Sequence, residues 1–113
     1  MKDIKNKITV NGKEYPIVFN LNVMEEIQEE YGTLEKWGEL TDGEEPNAKA
    51  VIFGVTHMIN EGIDIENEEN GTDVKPLTYK QVGRLITEAG IEEAAKNMQK
   101  AVVESTESAE KNA

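Results

Sequence analysis

The sequence predicts a small α+β domain, mainly α, in which an N-terminal antiparallel β-hairpin packs on about four helices. Three observations carry that prediction. Asn11-Gly12 separates two short runs of alternating apolar residues, helical periodicity recurs in several segments after residue 20, and 113 residues suffice for one domain with one core. The single α+β domain is placed at 1–103. Residues 104–113, "ESTESAEKNA" with the last four polar or small, hold no large apolar side chain and read as a flexible polar tail.

The hairpin comes first. Asn-Gly is a strong hairpin signal because both central positions of a type I′ turn need φ > 0. With these two residues as the turn, Ile8 faces Tyr15, Asn6 faces Ile17 and Ile4 faces Phe19, which puts most large apolar groups on one side. Pro16 then falls opposite Lys7 at a non-hydrogen-bonded position, where its missing N–H costs the pair nothing, and it makes the second strand an edge. Two strands alone are marginal, so their apolar side should lie on helices.

The first helix is expected to be N-capped by Asn22, with Glu25 three residues on in a capping-box arrangement. Met24, Ile27 and Tyr31 form its stripe, and Gly32 stops it. Thr33 opens a short helix bearing Leu34 and Trp37, which "TDGEEPN" breaks. Ala48, Val51, Ile52, Val55 and Ile59 mark the clearest helix, with Pro46 near its start and Gly62 as its expected end. Ile17 and Ile52 are placed on the core seam. "IDIENEENGTDVKP", residues 63–76, reads as a mobile acidic loop with a turn at Asn70-Gly71. Thr78 and Gln81 form a capping box ahead of Val82, Leu85, Ile86 and Ala89. Gly90 breaks that helix, and Ile91 opens the last one, with Ala94, Ala95, Met98 and Val102 in phase.

Charge narrows the function classes. The net charge is -11, from 23 acidic and 12 basic residues, so phosphate backbones and anionic membranes repel the chain. Neither nucleic acid nor membrane is expected as a partner. With no cysteine there is no disulfide, thiolate nucleophile or sulfur-ligated metal. "MKDIKNKITV" lacks the roughly 7–15-residue apolar core of a signal peptide, and no apolar run approaches the ~20 residues of a bilayer span. The expected compartment is the cytoplasm.

No catalytic, cofactor-binding or metal-binding residue stands out. His57, the one histidine, lies about 200° around its helix from Val55 by the ~100° step per residue, and reads as a solvent-exposed surface residue. Glu66, Glu68, Asn70 and Gly71 echo the first positions of a calcium-binding loop, but Leu77 stands where its bidentate glutamate belongs. Candidate partner-binding residues are Trp37, Met98, Val102 and Val103. Trp37 is either an interface anchor or core, and its helical stripe favours core. Val103 sits beside Val102 and off the main line of the last helix, which leaves room for a partner, for self-association or for ordinary packing.

The stretch "ITVNGKEYPIVFNLNVMEEIQEEYGTLEKWGEL" resembles the start of tail assembly chaperones from long-tailed phages and prophages of Gram-positive bacteria. In that family a short "I-x-V/I-N-G-K-x-Y" hairpin leads to a phenylalanine, then a helix with Met or Leu and Ile anchors, then "Y-G". The matching positions are Ile8, Val10, Asn11, Gly12, Lys13, Tyr15, Phe19, Met24, Ile27, Tyr31 and Gly32. The resemblance implies a non-enzymatic protein of the host bacterial cytoplasm that binds the tape measure protein, and tail tube subunits with it, during tail morphogenesis. It brings no catalytic residues and no cofactor. The alternatives are another small phage structural or adaptor protein, and an acidic DNA-mimic inhibitor. A mimic needs carboxylates at phosphate-like spacing on one face, whereas here they are spread over helix starts, residues 61–73 and the C-terminal stretch.

Overall fold

The computed structural model describes residues 6–111. The chain runs β1 (Lys7–Val10), β2 (Lys13–Pro16), α1 (Leu21–Tyr31), α2 (Leu34–Thr41), α3 (Ala48–Asn70), α4 (Tyr79–Ala89) and α5 (Ile91–Lys111). This is the mainly α form of an α+β fold that the sequence predicts, with five helices on the hairpin. None of the described helices is long and apolar enough to cross a membrane.

Asn11 and Gly12 take φ of 51° and 81°, so the turn has both positive dihedrals that fold two strands back tightly. Ile8 pairs with Tyr15 and Lys7 with Pro16, the expected register. One further rung, Ile17 N–H to the Asn6 carbonyl at 3.0 Å, extends the ladder past Pro16. Ile8, Val10, Ile17 and Phe19 are buried on the helical side. The expected Ile4–Phe19 pair lies outside the described residues.

The cap of α1 is Asn20, not Asn22. The Asn20 side chain accepts from Val23 N–H, and starting the helix at Leu21 brings Val23 into phase with Ile27 four residues later. Those two residues are fully buried, while Met24 and Tyr31 flank them, half-buried. Asn22 instead donates to Glu61, which also accepts from Asn20, so one carboxylate on α3 ties down the start of α1.

The expected end of α3 at Gly62 is wrong. The helix runs on to Asn70 and closes at Gly71, so most of the expected acidic loop is two further helical turns. A glycine inside a helix costs about 0.5–1 kcal/mol relative to alanine, so Gly54 and Gly62 need another reason to be there. Close approach supplies it. A Cβ on Gly62 would lie 3.1 Å from the Pro16 ring and 3.2 Å from its carbonyl oxygen. One on Gly54 would collide with Trp37 Cζ2 and lie 2.6 Å from Met98 Sδ.

Beyond Gly71 the chain is extended rather than loose, because α3 grips it with two asparagines. Asn67 Nδ2 donates to the Val74 carbonyl and its Oδ1 accepts from Val74 N–H, both at 3.0 Å. Asn60 does the same for Leu77, at 3.0 and 2.8 Å. Each side-chain amide thus pairs with a backbone residue much as a neighbouring strand would. The segment is delivered to the Thr78–Gln81 capping box that opens α4.

Val82 and Ile86 of α4 and Ala94, Ala95, Met98, Ala101 and Val102 of α5 close the core. Ile52 is half-buried, on the α4 side of α3 near Gly83, and not in the centre of the seam where Ile17 sits. The last helix also passes the expected boundary at 103 and runs to Lys111, with the Ser105 hydroxyl donating to the Phe19 carbonyl at 2.9 Å.

Two outcomes are expected. Gly54→Ala should lose about 3 kcal/mol of stability through overpacking against an indole with nowhere to go. Chemical denaturation would show a lower midpoint with an unchanged slope, and an unaltered midpoint would mean that Trp37 is free to move. Asn67→Ala should cost about 1–2 kcal/mol and strip the Val74 amide of its protection from hydrogen exchange. Protection retained at Val74 would show that the segment is held by something else.

Candidate functional site

The most chemically dense surface of the described residues lies where α1, α3 and the start of α4 meet. Phe53 and His57 are one helical turn apart on α3 and so share a face. Glu26 reaches them from α1. Tyr79 reaches them from the first position of α4, where the preceding capping box fixes the chain.

His57 is not the free surface residue expected. It does sit off the core stripe, but α1 and α4 close over it and leave its side chain only 20% exposed. Nδ1 lies 2.7 Å from Glu26 Oε2 and Nε2 lies 2.8 Å from the Tyr79 hydroxyl. A carboxylate only accepts, so Nδ1 donates to Glu26. The Tyr79 hydroxyl donates to Nε2 when the ring is neutral and accepts from it when the ring is protonated. Phe53 backs the group, with its ring centroid 4.3 Å from that of His57, 6.2 Å from that of Tyr79 and 5.5 Å, edge-on, from that of Tyr31.

Burial pushes the Tyr79 phenol above its ordinary value, with the nearby Glu26 and Glu30 carboxylates acting in the same direction. Tyr31 is also raised, mainly by burial, and its hydroxyl has no hydrogen-bond partner. A tyrosine used as a nucleophile or base needs its anion stabilised. Here the anion is penalised. The Glu26–His57–Tyr79 chain links α1, α3 and α4 and holds the Tyr79 ring in place.

Beside this group runs an open groove of about 540 Å³, with Ile52, Phe53 and Tyr79 as its apolar wall and Glu30 and Lys49 at its rim. Glu30, Phe53 and Tyr79 also line a smaller hollow of about 230 Å³ edged by Glu26 and Glu29. Lys49 makes a 3.3 Å ion pair with Glu30.

Of the four partner-binding candidates, three have no surface to offer. Trp37 and Met98 are fully buried and meet over Gly54, and Val102 is in the same core. The Trp37 indole N–H donates to the Ala50 carbonyl, 3.0 Å away, so even its polar edge faces inward. Val103 alone is exposed, far along α5, and the structure does not bring these four together as a site. Glu66, Glu68 and Asn70 lie on the final turns of α3, and among the described residues no three acidic or histidine side chains cluster closely enough to hold a metal ion. Ile52, Phe53, His57 and Tyr79 went unnoticed as a group. The available signal was Phe53 and His57 at i and i+4, apolar and aromatic residues just off the main stripe of α3.

The chain matches no family model, no curated protein and no solved structure.

The raised tyrosines give the fold an alkaline limit. A phenol whose folded pKa exceeds its unfolded value of about 10 binds its proton more tightly in the native state. Its contribution is fully present below pH ~10 and is lost as the pH climbs through the higher folded value. Melting temperature should therefore fall on going from pH 9 to about 11.5 more steeply in the wild type than in Tyr31→Phe/Tyr79→Phe. Parallel declines would assign the alkaline loss to other groups.

Proposed function

We propose that this protein is a tail assembly chaperone of the kind found in long-tailed phages and prophages of Gram-positive bacteria, a non-enzymatic binder of the tape measure protein in the host cytoplasm. The observation that carries the reading is the opening stretch from Ile8 to Gly32, whose order of turn, strand, phenylalanine, helix and "Y-G" resembles the start of that family.

What the motif residues do supports the reading. Asn11 and Gly12 make the turn, Ile8, Val10, Phe19 and Ile27 fill the core, and Gly32 ends α1. They form one connected folding unit. The acidic exterior suits a chaperone, because net charge far from zero keeps a complex soluble while apolar segments of a client are held. The aromatic groove beside α1 is a surface on which such a segment can rest.

Co-expression with a tape measure protein of a long-tailed phage tests the proposal. The expected result is a soluble complex that survives affinity purification and gel filtration, with the tape measure protein insoluble when expressed alone. No complex, together with tight salt-sensitive binding to a nuclease or repressor, would replace the chaperone reading with that of an acidic inhibitor.

A further inference from the structure

We infer that the groove between α1, α3 and the start of α4 is the docking site for a cationic amphipathic helix of another protein. Apolar anchors of that helix would rest on Phe53, Ile52 and Tyr79, while its lysines or arginines would face Glu29 and Glu30. The choice of client rests on the chaperone reading, whereas the chemistry of the ligand follows from the groove alone.

Charge decides the occupant. Glu30 and Lys49 line the groove itself, and Glu26 and Glu29 of α1 line the adjoining hollow that shares Glu30, Phe53 and Tyr79 with it. Glu26 is engaged by His57 and Glu30 by Lys49, whose side chain is 74% exposed and so can be displaced. A ligand that brings positive charge to this rim relieves the repulsion among neighbouring carboxylates one turn apart on a helix. A second copy of this chain would bring another 23 acidic residues against 12 basic ones. That pairing is repulsive. An acidic or phosphorylated partner is excluded on the same ground.

The floor is the second argument. Tyr79 is half-exposed, yet its ring is not free to rotate away, because its hydroxyl is held by His57, itself held by Glu26. An exposed aromatic already fixed in its binding position loses little freedom on association, which is the property that distinguishes anchors from ordinary surface rings. A groove with helices on both flanks and such a floor accepts apolar residues spaced i, i+3, i+4 and i+7, the pattern of a helix laid along it.

The test uses a fluorescein-labelled 21-residue Leu/Lys peptide of helical amphipathic spacing, and a scrambled peptide of identical composition, titrated with the 113-residue protein at about 150 mM NaCl. The helical peptide should bind about tenfold more tightly than the scrambled one. Tyr79→Ser, which changes no charge at neutral pH, should weaken the helical peptide at least about fivefold, as should Glu29→Gln/Glu30→Gln. Glu66→Gln/Glu69→Gln removes the same charge at the far end of α3 and should change affinity less than about twofold. Circular dichroism melts verify that each variant is folded. Equal binding of the two peptides, or equal losses from both glutamine pairs, would reduce the effect to diffuse attraction and overturn the assignment.

Co-purification of the tape measure protein with Tyr79→Ser separates the two proposals. Undiminished capture would leave the chaperone reading standing and remove this groove as the client site. Peptide binding without any tape measure capture by the wild type would do the reverse.

Discussion

The fold depends on two places where α3 carries no side chain. In an α-helix each side chain leans back over the preceding turn, so the residue at i+4 covers the carbonyl of residue i. On α3 two carbonyls take a second donor from outside the helix: Ala50 from the Trp37 indole, at 3.0 Å, and Met58 from the Val18 backbone N–H, at 3.1 Å. The residues four further on are Gly54 and Gly62. Any larger residue at either position would lie across the approach and force the incoming group away. One glycine lets α2 and α5 meet on α3, and the other lets the end of the hairpin lie against it.

This arrangement explains how such a long helix serves as the centre of so small a protein. Its successive faces take α2 and α5 at Gly54, the hairpin exit at Gly62, and the extended segment before α4 through Asn60 and Asn67. Glu61, between these, anchors the first turn of α1. The remaining surface, centred on Phe53 and His57, is where Glu26 of α1 and Tyr79 of α4 meet at one α3 side chain. The groove is thus a consequence of the helix lengths and caps around it. Tyr79 is in place because Thr78 caps α4, and Thr78 is in place because Asn60 holds Leu77.

Features set by neighbours in sequence were legible. The Asn-Gly turn dictates the register within a few residues, and the Thr78–Gln81 box and Gly32 act within one helical turn. Misreadings arose where a local signal had a distant cause. Gly62 resembles a helix stop, and only the presence of Pro16 against it shows that it is a contact. Residues 63–70 look like a loop because they are acidic, yet Ile63 and Ile65 remain half-buried along a continuing helix. Asn20 and Asn22 are equivalent as letters, and the choice between them comes from burying Val23. Asn60 and Asn67 are seven residues apart, two turns along one face of α3, a spacing that has meaning only once the helix is known to run past Gly62. His57 was placed correctly on its helix, but its surroundings come from two other elements.

The same distinction bears on what the Glu26–His57–Tyr79 chain is for. The chain's effect is visible in its geometry: it spans α1, α3 and α4 and holds a half-exposed ring at the edge of an apolar groove. Burial and the nearby Glu26 and Glu30 carboxylates push the terminal phenol toward staying protonated. Rings that are both exposed and immobile contribute little to folding and much to recognition. The glutamates near this groove make its local field negative, which attracts cations and repels like-charged chains.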